Sequence, residues 1–243
     1  MGDAERPAFY ALSPGGWRDY WTLLHPPYTA WHLSYVAMGA AIAPALDGVW
    51  LAKSMLAFFL GLGLSAHALD ELNGRPLRTR IPSSVLWTIA GVGLVGGVAL
   101  GIDAAVEISP WMLAFVGVGS FLLIAYNLEL FGGAFHSDLW FALAWGAFPA
   151  LTGYFVQAST IRIPAVILAL GCTALSAAQR VLSTPVRELR RHVVRVSGEL
   201  ELDDGSLRAV DAAALRAAPE GALRLLALAT VSLAVALVVA RYV

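Results

Sequence analysis

The chain has 243 residues, 58% of them hydrophobic and 14% charged, with a mean hydropathy of +0.70. A soluble domain is about 45–50% apolar and ~25% charged, so this chain has too few charges to cover a water-facing surface and a soluble globular protein is excluded. The net charge of −1 averages over strongly segregated charges, and the single cysteine, Cys172, lies in an apolar run, so an intramolecular disulfide is excluded.

Residues 1–27 read as a polar, aromatic segment. Asp3 and Glu5 replace the basic start and early apolar run of a cleaved signal peptide. Trp17, Arg18, Tyr20 and Trp21 suit a helix lying in the headgroup layer, and Pro26-Pro27 starts the first apolar stretch. A membrane span needs ~20 apolar residues. Seven stretches fit: Tyr28 to Leu46, Val49 to Leu69, Ser84 to Ile102, Pro110 to Leu130, Leu139 to Gln157, Ile161 to Leu182 and Ala222 to Ala240. The expected fold is an all-α polytopic membrane bundle. It divides into an N-terminal interfacial segment (1–27), a six-helix core (28–182), a basic loop with amphipathic helices (183–221) and a last transmembrane helix (222–243).

With the N-terminus cytoplasmic, only Lys53, Arg162 and Arg241 of the 16 Lys and Arg fall outside, which satisfies the positive-inside rule. The expected location is therefore a cell membrane, crossed several times. Small residues recur through the spans (Gly39, Gly61, Gly63, Gly93, Gly97) and predict close helix approach. GVGLVGG sits mid-helix with no strand before it, so it is not a dinucleotide fingerprint. In the long polar piece, Ser183-Thr184-Pro185 reads as a helix start, Asp203-Asp204-Gly205 as a turn, and Ser206 to Ala218 as an amphipathic segment on the membrane surface.

Two polar clusters carry the candidate chemistry. The first ends the second span: His67, Asp70, Glu71 and Asn73, then Arg75, Arg78 and Arg80. Ionisable residues at the mouth of a membrane helix mark a functional site by default. Asp70 and Glu71 are candidates to bind a cation or act as a base; they also suit a capped helix end paired with the basic loop. The second cluster, Gln179, Arg180, Ser183, Arg187 and Arg191, descends from the end of the sixth span. Arginine forks suit a phosphate or diphosphate, and equally a patch that holds anionic headgroups. Between them Tyr126 and Asn127 end the fourth span on the same face. Trp145, Gly146, Pro149 and Gly153 predict a kink beside a cavity in the fifth.

Taken together, WTLLHPPYTAWHLSYVAMGAAIA, RPLRTRIPS after the second span, and YN followed by WGAFPALTGY resemble the UbiA superfamily of intramembrane prenyltransferases, over roughly Trp21 to Arg195. The resemblance implies a cytoplasm-facing cavity that binds an isoprenoid (di)phosphate or related lipid and transfers its chain to an acceptor. It implies Asp70 and Glu71 as catalytic and Mg²⁺-binding residues. Arg75, Arg78, Arg180, Arg187 and Arg191 would hold phosphate, with His67, Asn73, Tyr126, Asn127, Gln179 and Ser183 around the acceptor. The chain departs from the family where the metal should sit. In register, the first aspartate motif reads His67, Glu71, Arg75, and the second reads Gln179, Ser183, Arg187. Mg²⁺ wants several carboxylates. The expectation is therefore a UbiA-like protein with a rewired polar site. The alternative is a non-catalytic membrane subunit or lipid-binding partner of a larger membrane complex. Nucleic acid is not an expected partner, and no inverted pair of broken helices suggests a transporter.

Overall fold

The computed structural model describes residues 6–243, so the acidic start at Asp3 and Glu5 lies outside the described residues. A short helix, α1 (Trp17–Leu23), buries Thr22 and Leu23 while exposing Trp17, Tyr20 and Trp21. Seven longer helices come after it in the described residues. They are α2 (Pro26–Ala41), α3 (Gly48–Leu72), α4 (Ser83–Glu107), α5 (Met112–Asn127), α6 (Asp138–Ala158), α7 (Ile163–Arg191) and α8 (Ala212–Val239). Each coincides with one of the expected apolar stretches. Five of them, α3, α4, α6, α7 and α8, are long and apolar enough to cross a membrane. α2 and α5 have 16 residues each, short of the ~20 a span needs. Val92, Val95, Ile163, Ile167, Leu225 and Leu228 point outward on the long helices, an apolar surface that water would not tolerate.

The helices run back and forth between two ends. At one end, Asp47 donates its N–H to Gln157 Oε1 (2.7 Å), Lys53 pairs with Asp103 (2.7 Å) and Arg241 reaches the Pro44 carbonyl (3.0 Å). The other end gathers the N-terminal segment, the α3–α4 loop and the end of α7.

The buried axis is α2. Trp31, Tyr35 and Val36 are wholly inaccessible, and α2 packs on α8 and on the second half of α6. Glycine makes this crossing possible. A Cβ on Gly39 would overlap the Ala150 carbonyl, and one on Gly153 would overlap the Val36 carbonyl. In lipid, where apolar burial drives little association, such close backbone approach supplies much of the packing. Gly93 against Leu60 and Gly146 against Cys172 repeat the device, with Cβ-to-carbonyl distances of 2.5 and 2.6 Å.

Two helices contain a π turn, Phe59–Ala66 in α3 and Leu143–Ala147 in α6. The extra residue per turn rotates the remainder of the helix, and such turns concentrate at functional sites. Here they set the azimuth of His67 and Asp70 and of Trp145. The kink expected around Pro149 takes this form: proline has no N–H to donate, and the wide turn just before it absorbs the interruption.

Three expectations are corrected. Ser183-Thr184-Pro185 is not a helix start, because α7 continues through Pro185 to Arg191 in one 29-residue helix. The turn at Asp203-Asp204-Gly205 is present, with Gly205 at φ 79°, but it joins two antiparallel strands, β1 (Gly198–Glu201) and β2 (Leu207–Val210), so the basic loop carries a small hairpin on an otherwise helical bundle. The surface helix expected over Ser206 to Ala218 and the separate span from Ala222 are a single helix, α8, capped by Asp211 Oδ1 on the Ala214 N–H (2.7 Å) and running through Pro219. Arg190 forks onto Glu220 (2.5 and 2.9 Å), which ties the end of α7 to the start of α8.

Candidate functional site

A polar cavity of about 280 Å³ opens at the end where α3, α5 and α7 finish and α2 begins. One wall is the tip of α3, with His67, Asp70 and Asn73. The facing wall is the last three turns of α7, with Gln179, Arg180, Ser183, Arg187 and Arg191. The tips of the second and sixth apolar stretches therefore do share one chamber. The Arg78 guanidinium, from the loop after α3, also donates to the Arg191 carbonyl (3.1 Å).

The third wall is Tyr126 and Asn127 at the end of α5, with His136 stacked on Tyr126 (centroids 4.4 Å apart). The fourth is absent from the sequence expectations. Residues 7–10 fold over the chamber as a strap, held by Arg190 on the Arg6 carbonyl (3.2 Å) and Arg191 on the Pro7 carbonyl (3.3 Å). Its Phe9 and Tyr10 rings pack edge to face with each other and with Tyr28, and Tyr10 leans on His25 (centroids 5.3 Å). Burial raises the Tyr10 hydroxyl well above the usual tyrosine range and lowers His25 well below the usual histidine range, with the neighbouring His67 ring adding to the effect on His25. Part of the His25 ring borders the chamber, but its Nε2 is buried and without a hydrogen-bond partner. At the inner end lie His32 and Trp145. The signal for this half of the site was present: Tyr28, His32 and Tyr35 recur at four and three residues along one face of an otherwise apolar stretch.

Several expected roles change. Glu71 does not face the chamber. It is wholly buried, and its carboxyl accepts from the N–H of Leu77 (2.9 Å), the N–H of Thr79 (2.9 Å) and the Thr79 hydroxyl (2.8 Å). It folds the α3–α4 loop back on the helix end, so the catalytic and metal roles expected of it are withdrawn. Arg75 is consumed in the same loop, on the Ile81 carbonyl and Ser83 hydroxyl (both 2.6 Å), and Arg78 sits outside the chamber wall. Neither is placed to hold phosphate inside. The alternative reading, acids that secure the basic loop, is closer, although the partners are backbone N–H groups and the Thr79 hydroxyl rather than arginine side chains. Asp19 does the same from α1, accepting from Gly15 (3.0 Å) and Arg80 (3.1 Å). Among the described residues no group of three or more His, Cys, Asp or Glu is placed to hold a metal ion. With Glu71 turned away, Asp70 is the member of that acidic pair that borders the chamber.

The remaining cations differ in their freedom. Arg180 is neutralised by Asp138 (2.8 Å), and Asn73 donates to Glu129 (3.2 Å). Arg187 has only the Thr184 hydroxyl (3.2 Å) as a side-chain partner, and no carboxylate among the described residues lies within ion-pair distance of it or of Arg191. A half-buried guanidinium without a counter-ion is costly unless an anion joins it.

A second, apolar cavity of about 140 Å³ runs between α3, α4, α5 and α6, walled by side chains such as Phe58, Leu94, Phe115 and Phe148. Ala66 and Trp145 border both cavities. The pair thus sets a polar chamber, with Arg187 and Arg191 on its wall, beside an apolar cavity. Compared with known proteins, the chain matches no family model, no curated protein and no solved structure.

Proposed function

We propose that this is a UbiA-like membrane protein that takes up a lipid carrying a phosphate or diphosphate. The headgroup sits between Asp70 and the Arg187–Arg191 pair, and the chain lies in the apolar slot past Ala66 and Trp145. All seven long helices cross the bilayer, α2 and α5 at its thinnest places. The chamber opens to the cytoplasm, because the arginine-rich end of a membrane protein stays inside. The observation that carries this reading is Arg187: a partly buried fork with no carboxylate partner among the described residues, on the wall of a chamber that shares Ala66 and Trp145 with an apolar cavity.

Prenyl-chain transfer is the activity the resemblance suggests for such a site. The arginines would stabilise charge on a departing diphosphate, a role fixed donors fill well in a chamber of low dielectric. The withdrawal of Glu71 into the loop favours a second reading, a lipid-binding subunit without turnover. Radiolabelled geranylgeranyl diphosphate, offered to the purified protein together with aromatic and lipid acceptors, with and without EDTA, separates the possibilities: transfer joins the prenyl carbon to the acceptor and releases diphosphate. Saturable binding is expected, and it should be insensitive to EDTA when Arg187 and Arg191, rather than a bound metal ion, hold the phosphate. It should weaken about 10- to 100-fold in Arg187→Gln, the scale of a lost charge-assisted hydrogen bond of ~1.5–3 kcal/mol. Product formation supports transfer; binding without product supports the subunit. No saturable binding, or unchanged binding in Arg187→Gln, overturns the proposal.

A further inference from the structure

The strap at residues 7–10 closes one side of the chamber, and its attachment is uneven. Its base is anchored to α1: Leu12 donates its N–H to Thr22 Oγ1 and Gly15 donates its own to Asp19 Oδ1 (both 3.0 Å). Its tip belongs to no helix or strand. The tip rests on α7 through the Arg6 and Pro7 carbonyls and on ring contacts of Phe9 and Tyr10, with the Arg224 guanidinium 5.0 Å from the Phe9 ring. A segment tied by side chains rather than by a backbone ladder opens at lower cost than the bundle beneath it.

The latch is also a ligand group. Arg191 gives its Nε to the Pro7 carbonyl, it borders the chamber, and its two terminal nitrogens have no partner among the described residues. Tyr10 on the strap, Tyr28 on α2 and Tyr126 on α5 border the same space, and none of their hydroxyls makes a hydrogen bond among the described residues. Unlike Gln179 Oε1 and His25 Nε2, these hydroxyls are not sealed from the chamber. Burial raises the Tyr10 hydroxyl, and Arg191 and Arg187 act on it in the opposite sense, so the three groups share one field and the hydroxyl keeps its hydrogen to donate. Asp70, on the wall formed by α3, repels an anion toward this side.

We propose that the strap is a lid that closes on a bound phosphate or diphosphate: Arg191 holds the lid through Nε and the anion through its terminal nitrogens, and the Tyr10 hydroxyl donates to that anion. This rests on the reading that Arg187 and Arg191 hold phosphate, and it adds a ligand contact from the N-terminal segment. An anion that fixes the guanidinium also fixes the donor to Pro7, so binding and closure strengthen each other by the same factor.

Chymotrypsin cuts after Phe9 and Tyr10 when the strap lifts. The two cuts, followed by mass spectrometry on the unaltered full chain in nanodiscs, should slow by roughly tenfold or more under saturating geranylgeranyl diphosphate. Arg191→Gln, at its own saturating concentration, should lose that protection. Tyr10→Phe removes the hydroxyl and keeps the ring, and it should bind about tenfold more weakly through faster dissociation, the low end for a hydrogen bond to a charged group. Inorganic pyrophosphate forms a second arm: protection by it identifies a free diphosphate as sufficient, and protection by the lipid diphosphate alone identifies the lipid. Should a variant fail to fold, the cutting of the unaltered chain decides by itself. Cutting unchanged by saturating ligand, or parental affinity in Tyr10→Phe, overturns this inference, and binding that still weakens in Arg187→Gln then leaves the phosphate reading standing. No saturable binding of either probe removes both.

Discussion

Replacing Glu71 with alanine separates a structural role from a chemical one. The carboxyl takes three hydrogen bonds from Leu77 and Thr79, and the residue has no accessible surface. In Glu71→Ala two buried N–H groups and a hydroxyl lose their acceptor, at ~1–3 kcal/mol for each group left unsatisfied. Water entering the enlarged space recovers part of this, so a net loss of about 3–5 kcal/mol is expected. For a chain of this length each kcal/mol moves Tm by ~2–4 °C, which places the expected drop at roughly 6–20 °C. Thermal unfolding in detergent, followed by tryptophan fluorescence, measures it. Glu71→Gln keeps one accepting oxygen and should fall about midway. Lipid affinity of the fraction that stays folded should be unchanged, because the side chain does not border the chamber. A Glu71→Ala protein that keeps its Tm and loses lipid binding would refute the reasoning, since the carboxyl would then have to face the ligand.

The α2–α6 crossing gives a sharper contrast. Gly39→Leu should destabilise by at least the ~1–3 kcal/mol of ordinary overpacking, because the new side chain meets backbone that cannot move aside. Gly91→Ala on α4, where nothing lies within 4 Å of the added Cβ, should be neutral or gain up to ~1 kcal/mol of helix propensity; both are read by the same melt. His25 supplies a pH dependence. Burial holds it neutral in the fold, whereas unfolded it takes a proton near pH ~6.5, so the unfolded state binds more protons below that pH and stability should fall as pH falls. Between pH 7.5 and 5 the parent should lose more Tm than His25→Gln; identical slopes would show that the ring is not held neutral.

The apolar stretches were legible because a hydrocarbon environment imposes a length and a composition that little else in a sequence imitates. Their ends were less so. Pro185 and Pro219 read as boundaries, yet both lie inside long helices, α7 and α8. Proline removes one hydrogen bond, and in a long helix packed along its length that local loss does not outweigh the rest. The hairpin was within reach: Glu199-Leu200-Glu201-Leu202 alternates ahead of Asp203-Asp204-Gly205, a strand-and-turn pattern overshadowed by the arginine-rich helix beside it. The meeting of the α3 and α7 tips followed from the alternation of helix direction, which brought Asp70, Gln179, Arg187 and Arg191 to one chamber. Spacing does not reveal azimuth. Asp70 and Glu71 are adjacent in sequence, but one borders the chamber and the other faces the loop, and a π turn just upstream decides which. The strap at residues 7–10 was equally invisible, because its packing depends on Arg190 and Arg191, some 184 residues away.

The most direct measurement is a density map of the chain in nanodiscs prepared from a natural lipid extract. The account expects a headgroup-sized feature within hydrogen-bond reach of Arg187 and Arg191, continuous with chain density leading past Ala66 and Trp145 toward Phe148. Water alone in the chamber, with every lipid confined to the outer surface of α4, α7 and α8, would contradict it.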